Sequence, residues 1–274
     1  MTETTQGLIM KVDGSVATIW IRNEGRRNAM TSQMWEQFPE LIARARAHSA
    51  VMVIVLRGFG DDFSAGADIS ELRTISTAKG SGGASATTKA ETAIASSPKP
   101  TVAAIDGYCI GGGWEIAAAC DFRVATRNAK LAITPSKMGI VYPLSAIKRL
   151  VDIAGPSVAK DLLLTGRMLT AEQALGFGMV TQLAGEGELT EHIAALADQL
   201  GSRSQLSIQA MKNIVDAIVA DADVESREGV WRSEVETSGE RETGVQAFLD
   251  RRPAEFGWTG ERFWNDHPEV GVHE

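Results

Sequence analysis

The chain has 274 residues and carries 35 Asp plus Glu against 27 Lys plus Arg, a formal charge of −8. That balance argues against a nucleic-acid binder, because Arg26-Arg27 and Arg251-Arg252 are basic pairs too small to form a phosphate-binding stripe. With 44% hydrophobic and 23% charged residues the composition is that of an ordinary globular protein, long enough for one large domain with a small C-terminal addition.

In chain order, MTETTQG opens polar and mildly acidic with no apolar run of a targeting segment, and the longest aliphatic run, Val51 to Leu56, is far too short to span a bilayer. Short β-branched runs at Val16 to Ile21, Val51 to Leu56, Thr101 to Ile105, Phe122 to Thr126 and Leu131 to Ile133 predict strands buried on at least one face. Helix-like segments lie between them at Ser32 to Ala47, Lys89 to Ser96 and Trp114 to Cys120, and the alternation predicts an α/β layer fold. Ser76 to Thr88 is small, polar and aperiodic, and reads as a mobile loop. Beyond about residue 145 helix dominates. Thr170 and Gln173 form a capping box for a short helix stopped by Gly176 and Gly178. Ile208, Met211, Val215, Ile218 and Val219 keep an apolar helical face that must find its own core or a neighbouring subunit, and a charge-rich stretch from Asp221 to Glu242 leads on to Phe248.

Cys109 and Cys120, the two cysteines, have neither a metal-ligand spacing nor a disulfide pattern, which suits a reducing, cytoplasmic setting. His48, His192, His267 and His273 all lie away from the glycine-rich stretches, so neither a Ser-His-Asp triad nor a His-ligated metal is expected. Chemistry is expected instead at two glycine-rich turns that follow strands. The first, Gly58 to Ile69, is no dinucleotide fingerprint, since Phe63 replaces the third glycine; nor is it a nucleophile elbow, since Asp62 precedes Ser64 where glycine is needed. Gly66 and Ala67 can nevertheless turn backbone N–H groups toward a ligand. The second turn, Ile105 to Asp121, carries Gly111-Gly112-Gly113 directly before a helix whose first turn holds Glu115 in apolar company. An acid at a helix N-terminus can simply answer the macrodipole. Beside bare N–H donors it also suits acid/base chemistry next to an oxyanion, such as a thioester enolate.

Arg27-Asn-Ala-Met30, Phe63-Ser-Ala-Gly-Ala-Asp-Ile69, Asp106-Gly-Tyr-Cys-Ile-Gly-Gly-Gly-Trp-Glu115 with Cys120-Asp121, and Ala247-Phe-Leu-Asp-Arg-Arg-Pro253 closely resemble the crotonase family, the enoyl-CoA hydratases and isomerases, from about Leu8 to Phe256. The resemblance implies a spiral of ββα units over residues 1–200 and a helical C-terminal region, 201–274, that joins subunits into a trimer or a dimer of trimers. It implies an acyl-CoA substrate whose coenzyme A is no separate cofactor, with neither metal nor nucleic acid nor membrane as partner. Ala67 and Gly112 would supply the oxyanion-hole N–H groups. Arg27 and Ala29, with Ala65, Ala67, Asp68, Ile69 and Ser70 of the stretch 65–70 and Gly112, would contact the substrate along the coenzyme A path, and Phe248 and Arg251 would reach a neighbouring subunit's coenzyme A. Residues 76–88 would shape the acyl pocket.

Glu115 matches one of the two catalytic glutamates of the family's hydratases. At the other, in Thr134-Pro-Ser-Lys-Met-Gly-Ile140, this chain has Ser136. A serine cannot hold a proton at neutral pH as a tuned carboxyl does. Ser136 is therefore expected to hydrogen-bond a water or an acyl hydroxyl, with Glu115 as both acid and base. Tyr142 and Lys137 are neighbouring substitutes in sequence, Lys137 being read as a solvated surface residue. Hydration or elimination at C2 and C3 leads the functional reading. Isomerisation, decarboxylation or thioester hydrolysis on the same scaffold, or a CoA-ester binder with weakened chemistry, are the alternatives.

Overall fold

In the computed structural model, residues 6–71, 85–267 and 270 are described. Among these residues two sheets form, one of six strands and one of three. β1 (Gln6–Asp13) and β2 (Val16–Asn23) make an antiparallel hairpin. From β2 the sheet continues in parallel through β3 (Val53–Gly58), β4 (Thr101–Ile105), β6 (Phe122–Thr126) and β9 (Gln182–Ala184). The smaller sheet holds β5 (Tyr108–Ile110), β7 (Lys130–Ala132) and β8 (Met168–Thr170).

The two-residue period of the strands sorts their side chains onto two faces. Ile54, Leu56, Ala103, Ile105 and Ala125 enter the main core, whereas Val53, Val55, Val102, Ala104 and Val124 face Leu189, Ile193 and Leu196 on the other side. This is why the central strands read as unbroken apolar runs. Each turn of the chain then takes a strand of the large sheet, a short segment at the small sheet and a returning helix. β4, β5 and α3 (Gly112–Ala119) form one such unit; β6, β7 and α4 (Leu144–Thr165) form another. A ββα spiral results, built around α1 (Ser32–Ala47) and α2 (Ala86–Ala95) in the main core.

Thr31 caps α1 by accepting from the Met34 N–H, and the expected capping box at Thr170 and Gln173 starts α5 (Ala171–Gly176). The expected loop at 76–88 is corrected at its end: Ser85 accepts from the Thr88 N–H and opens α2, while 76–84 lie outside the described residues. Capping chemistry thus overrides the low apolar content that suggested a loop.

After α6 (Leu189–Gly201) come α7 (Gln205–Val219), α8 (Val224–Ser238), α9 (Glu240–Leu249) and α10 (Glu261–Asp266). Trp231 stacks on Phe263 at 4.0 Å between ring centroids and donates its indole N–H to Asn213 at 2.9 Å, which gives these helices a small core of their own. Met211, Val215, Ile218 and Val219 on α7 remain exposed. Among the described residues no helix is long and apolar enough to cross a membrane.

Candidate active site

The two glycine-rich turns meet. Residues 64–68, after β3, run between the loop 27–30 and β5: Ser64 donates to Tyr108 O and accepts from Ile110 N, while Met30 N donates to Gly66 O and Asp68 N to Met30 O. Asn28 holds this crossing from below. Its side-chain amide donates to Phe59 O at 2.9 Å and to Asp62 O at 2.6 Å, and Ser64 Oγ donates to Asn28 O at 2.8 Å. Arg27 and Asn28 accept left-handed backbone (φ 50° and 56°) to make the turn.

Close approach explains the glycines. A Cβ on Gly66 would stand 2.6 Å from Ile110 O, and one on Gly112 would stand 2.8 Å from the Trp35 ring and 3.2 Å from Ala67 N. Without side chains, the start of α3 seats directly against residues 64–67. The Gly112 backbone therefore packs against that of Gly66 and Ala67, and among the described residues neither the Ala67 nor the Gly112 N–H donates to a protein acceptor. Gly112 N is moreover a first-turn donor, at the positive end of a helix. Two free N–H groups from separate turns are a geometry that can bind one oxygen carrying negative charge.

Every residue of α3 is buried, Glu115 included, at 6% exposure. Burial pushes the Glu115 carboxyl up to about 8; the nearby Glu91 carboxyl raises it further, and the Tyr142 hydroxyl pulls it down. A carboxyl that titrates near neutrality is suited to take and return a proton in one cycle. The sequence pointed to Glu115 directly and named Tyr142 without a direction for its side chain. The structure turns the Tyr142 hydroxyl inward, 3.7 Å from where a Cβ on Gly111 would sit. Glu91, on α2, was missed. The readable signal was an acid three residues before Ile94 on a helix of small side chains.

The remaining expected site residues separate into groups. Ala29 is buried beneath the crossing, next to Arg27, whose guanidinium lies 4.4 Å from the Tyr108 ring centroid and 4.0 Å from an Asp62 oxygen. Asp68 is nearly buried and binds Arg26 at 2.7 Å, Ser70 Oγ at 2.6 Å and Ser70 N at 3.0 Å. These bonds hold its carboxyl below the usual carboxylate range, Ser70 contributing more than Arg26. Arg26 is thus engaged in an ion pair, and Ile69 projects outward at 70% exposure. Ala65 lies on the stitched stretch and donates its N–H to Arg27 O.

Ser136 and Lys137 are exposed on a short 3-10 turn, Pro135–Met138. No hydrogen bond among the described residues ties Ser136 to Glu115. Phe248 is exposed at the end of α9 and Arg251 follows it with left-handed backbone; no ion pair or hydrogen bond among the described residues joins them to the glycine turns.

Comparisons with known proteins agree with this geometry. The family model described as enoyl-CoA hydratase/isomerase matches residues 11–259. Crotonyl-CoA hydratase of Syntrophomonas wolfei is 28% identical over 92% of this chain and 98% of its own. The peroxisomal Delta(3,5)-Delta(2,4)-dienoyl-CoA isomerase of Arabidopsis thaliana is also 28% identical, over 93% of this chain and 97% of its own. A crystal structure of an enoyl-CoA hydratase/isomerase family member superposes with a TM-score of 0.88 at 38% identity, covering 93% of this chain and 98% of that one. A ββα spiral, two converging glycine turns and a family match along nearly the whole sequence have one reading: the chain belongs to the enoyl-CoA hydratase/isomerase family of enzymes.

Proposed function

We propose that the protein adds water reversibly across the C2–C3 double bond of an enoyl-CoA thioester. The observation that carries this reading is a buried carboxyl, tuned to about 8, in the first turn of the helix whose Gly112 N–H, with that of Ala67 packed against it, is left unengaged. Ala67 N and Gly112 N hold the thioester oxygen while charge develops on it. Glu115 takes a proton from water as the water oxygen bonds to C3, the π pair moves into the enolate, and C2 then receives the proton that Glu115 holds. Water is consumed whole, and Glu115 ends as it began. One such N–H donor contributes about 2.7 to 4 kcal/mol to the transition state, and a positioned acid/base roughly 10²- to 10⁴-fold in rate.

Around this centre, Arg27, Ala29 and residues 65–70 line the coenzyme A path, and coenzyme A is part of the substrate with no separate cofactor. Phe248 and Arg251 serve a neighbouring subunit's ligand in a homotrimer or dimer of trimers. The exposed apolar faces of α7 and of the end of α9 support that assembly. A second reading, double-bond migration with Glu115 as single base, is favoured by Ser136 standing exposed where the family's hydratases carry an acid.

The test is Glu115→Gln assayed on a panel of 2-enoyl- and 3-enoyl-CoA esters in deuterated water. Turnover is expected to fall by about 10²-fold or more with ester binding retained. A 3-hydroxyacyl product supports hydration, a moved alkene without added oxygen supports the second reading, and undiminished turnover refutes Glu115 as the acid/base.

A further inference from the structure

Glu91 is 1% exposed, and among the described residues neither of its carboxylate oxygens has a hydrogen-bond partner. It is not alone. The Tyr142 hydroxyl, Ser145 Oγ and Arg149 Nε are also buried without a well-formed hydrogen bond, although Tyr142 approaches Glu115 and Ser145 approaches Glu91 closely enough to lower their pKa values. A buried polar group left in this state costs about 1–3 kcal/mol, more when charged, and such groups are few in native folds. A cluster of them calls for a role that packing does not supply. Its position suggests one. α2 packs on α3, the helix of Glu115, and the Tyr142 hydroxyl lies over Gly111, the residue just before the Gly112 N–H.

We propose that Glu91 is a second carboxyl group of the active site, a positioning residue that acts through Glu115, the two holding a single proton between them beside the Tyr142 hydroxyl. This rests on the hydratase/isomerase reading of the site and supplies the carboxyl that Ser136 does not. Two carboxyls in one water-poor site do not both ionise at neutral pH, and the proton they keep belongs to the pair. Burial pushes Glu91 up to about 7, with Arg149 and Ser145 pulling the other way, and Glu91 in turn raises Glu115. The groups that face the pair are Tyr142, Ser145 and Arg149 from the segment that opens α4, with Cys109 from β5 near the Tyr142 hydroxyl. A pair with one proton contains an acid and a base at once. Glu115 accepts the water proton in its ionised form and returns it to C2, while Glu91 sets how much of that form exists at a given pH.

Glu91→Gln keeps the shape and removes the charge. With the like charge gone, Glu115 ionises more easily, so the limb of the kcat/KM profile that reports it should move down by about one pH unit, with KM within about twofold. Glu91→Asp, which keeps a carboxyl, should hold the limb near its wild-type place. A residue needed only for folding would lower the stability of both variants and leave the limb where it was, and that result overturns the proposal. The carboxylic-acid band in the infrared, followed in the substrate-free protein from roughly pH 5 to 9, reads the pair without turnover. A protonated carboxyl persisting past neutrality in the wild type, and lost at lower pH in both Glu91→Gln and Glu115→Gln, supports the shared proton; identical titrations in all three overturn it. Absence of turnover on every enoyl-CoA would instead remove the hydratase/isomerase reaction, with the infrared titration still deciding on the pair.

Discussion

Gly112→Ala tests the packing that creates the donor pair. The added Cβ would lie 2.8 Å from Trp35 Cζ2, and 3.2 Å from both Trp35 Cη2 and Ala67 N. Trp35 is fully buried in the main core with its ring centroid 6.3 Å from that of Phe38, so moving its indole means disturbing that core. The start of α3 must yield by some tenths of an ångström, and it carries the Gly112 N–H with it. Forcing one methyl into such packing costs about 1–3 kcal/mol of stability. Displacing one oxyanion donor costs about 2.7 kcal/mol or more, roughly a hundredfold in kcat. Thermal unfolding followed by circular dichroism reads the first figure, and steady-state kinetics on the enoyl-CoA that turns over fastest reads the second. Combining Gly112→Ala with Trp35→Phe, which makes room for the methyl, should recover about tenfold of the lost kcat. A folded Gly112→Ala protein with kcat within about threefold of wild type, a difference under 1 kcal/mol, would refute the link between close approach and donor geometry.

Two further outcomes concern charged side chains, at the crossing and at Arg251 beyond α9. Asp68→Asn should cost about 1–3 kcal/mol of stability, since Asp68 gathers Arg26 and both donors of Ser70. The folded carboxyl titrates below its unfolded value, so its contribution is present above about pH 4 and is lost as pH falls through the folded pKa. Denaturant unfolding should thus show the gap between variant and wild type closing in acid; a gap independent of pH would count against the ion pair as its source. Arg27→Ala and Arg251→Ala should each weaken coenzyme A esters by about tenfold while leaving pantetheine thioesters, which lack the nucleotide, nearly unaffected. Isothermal titration with both ligand types measures this, and equal losses for the two would place these arginines away from the nucleotide.

How much of this was legible in the sequence depended on where each signal originates. Strands buried on at least one face announce themselves as apolar or β-branched runs, so β2, β3, β4, β6 and β7 were found, whereas β1, with no fully buried residue, gave no such run. β5, β8 and β9 have three residues each, too few for a period, and exist because partners are held nearby; β7, equally short, was readable through the apolar run Leu131 to Ile133. α4 is kinked at Gly155 (φ +78°), with Pro156 next, and this punctuation broke its pattern. At the site, the glycine turns and Glu115 were readable because they are local to one stretch of chain. Glu91 becomes visible only when α2 is laid on α3, since an acid's meaning depends on what the fold places around it. The apolar stripe of α7 was correctly read as a stripe, but in the single chain most of it faces outward.

The donors and the acid are not independent devices. The absence of side chains at Gly112 and Gly113 lets α3 seat on residues 64–67, and that same seating buries Glu115 two residues further on. A carboxyl whose folded pKa is raised binds its proton more tightly in the folded state, so it withdraws stability as pH rises from its ordinary value toward about 8, by an amount on the order of a few kcal/mol. The fold bears this because the remainder of α3, Trp114, Ile116 and Ala117 to Ala119, is buried apolar surface that outweighs it. Lifting α3 therefore does two things together: it misaligns the N–H groups and admits water to Glu115, which lowers its pKa. Gly112→Ala should accordingly lose turnover and shift the Glu115 limb to lower pH in the same protein. If kcat falls while the limb stays fixed, the donor geometry and the tuning of the acid have separate structural causes, and the seating of α3 explains only the first.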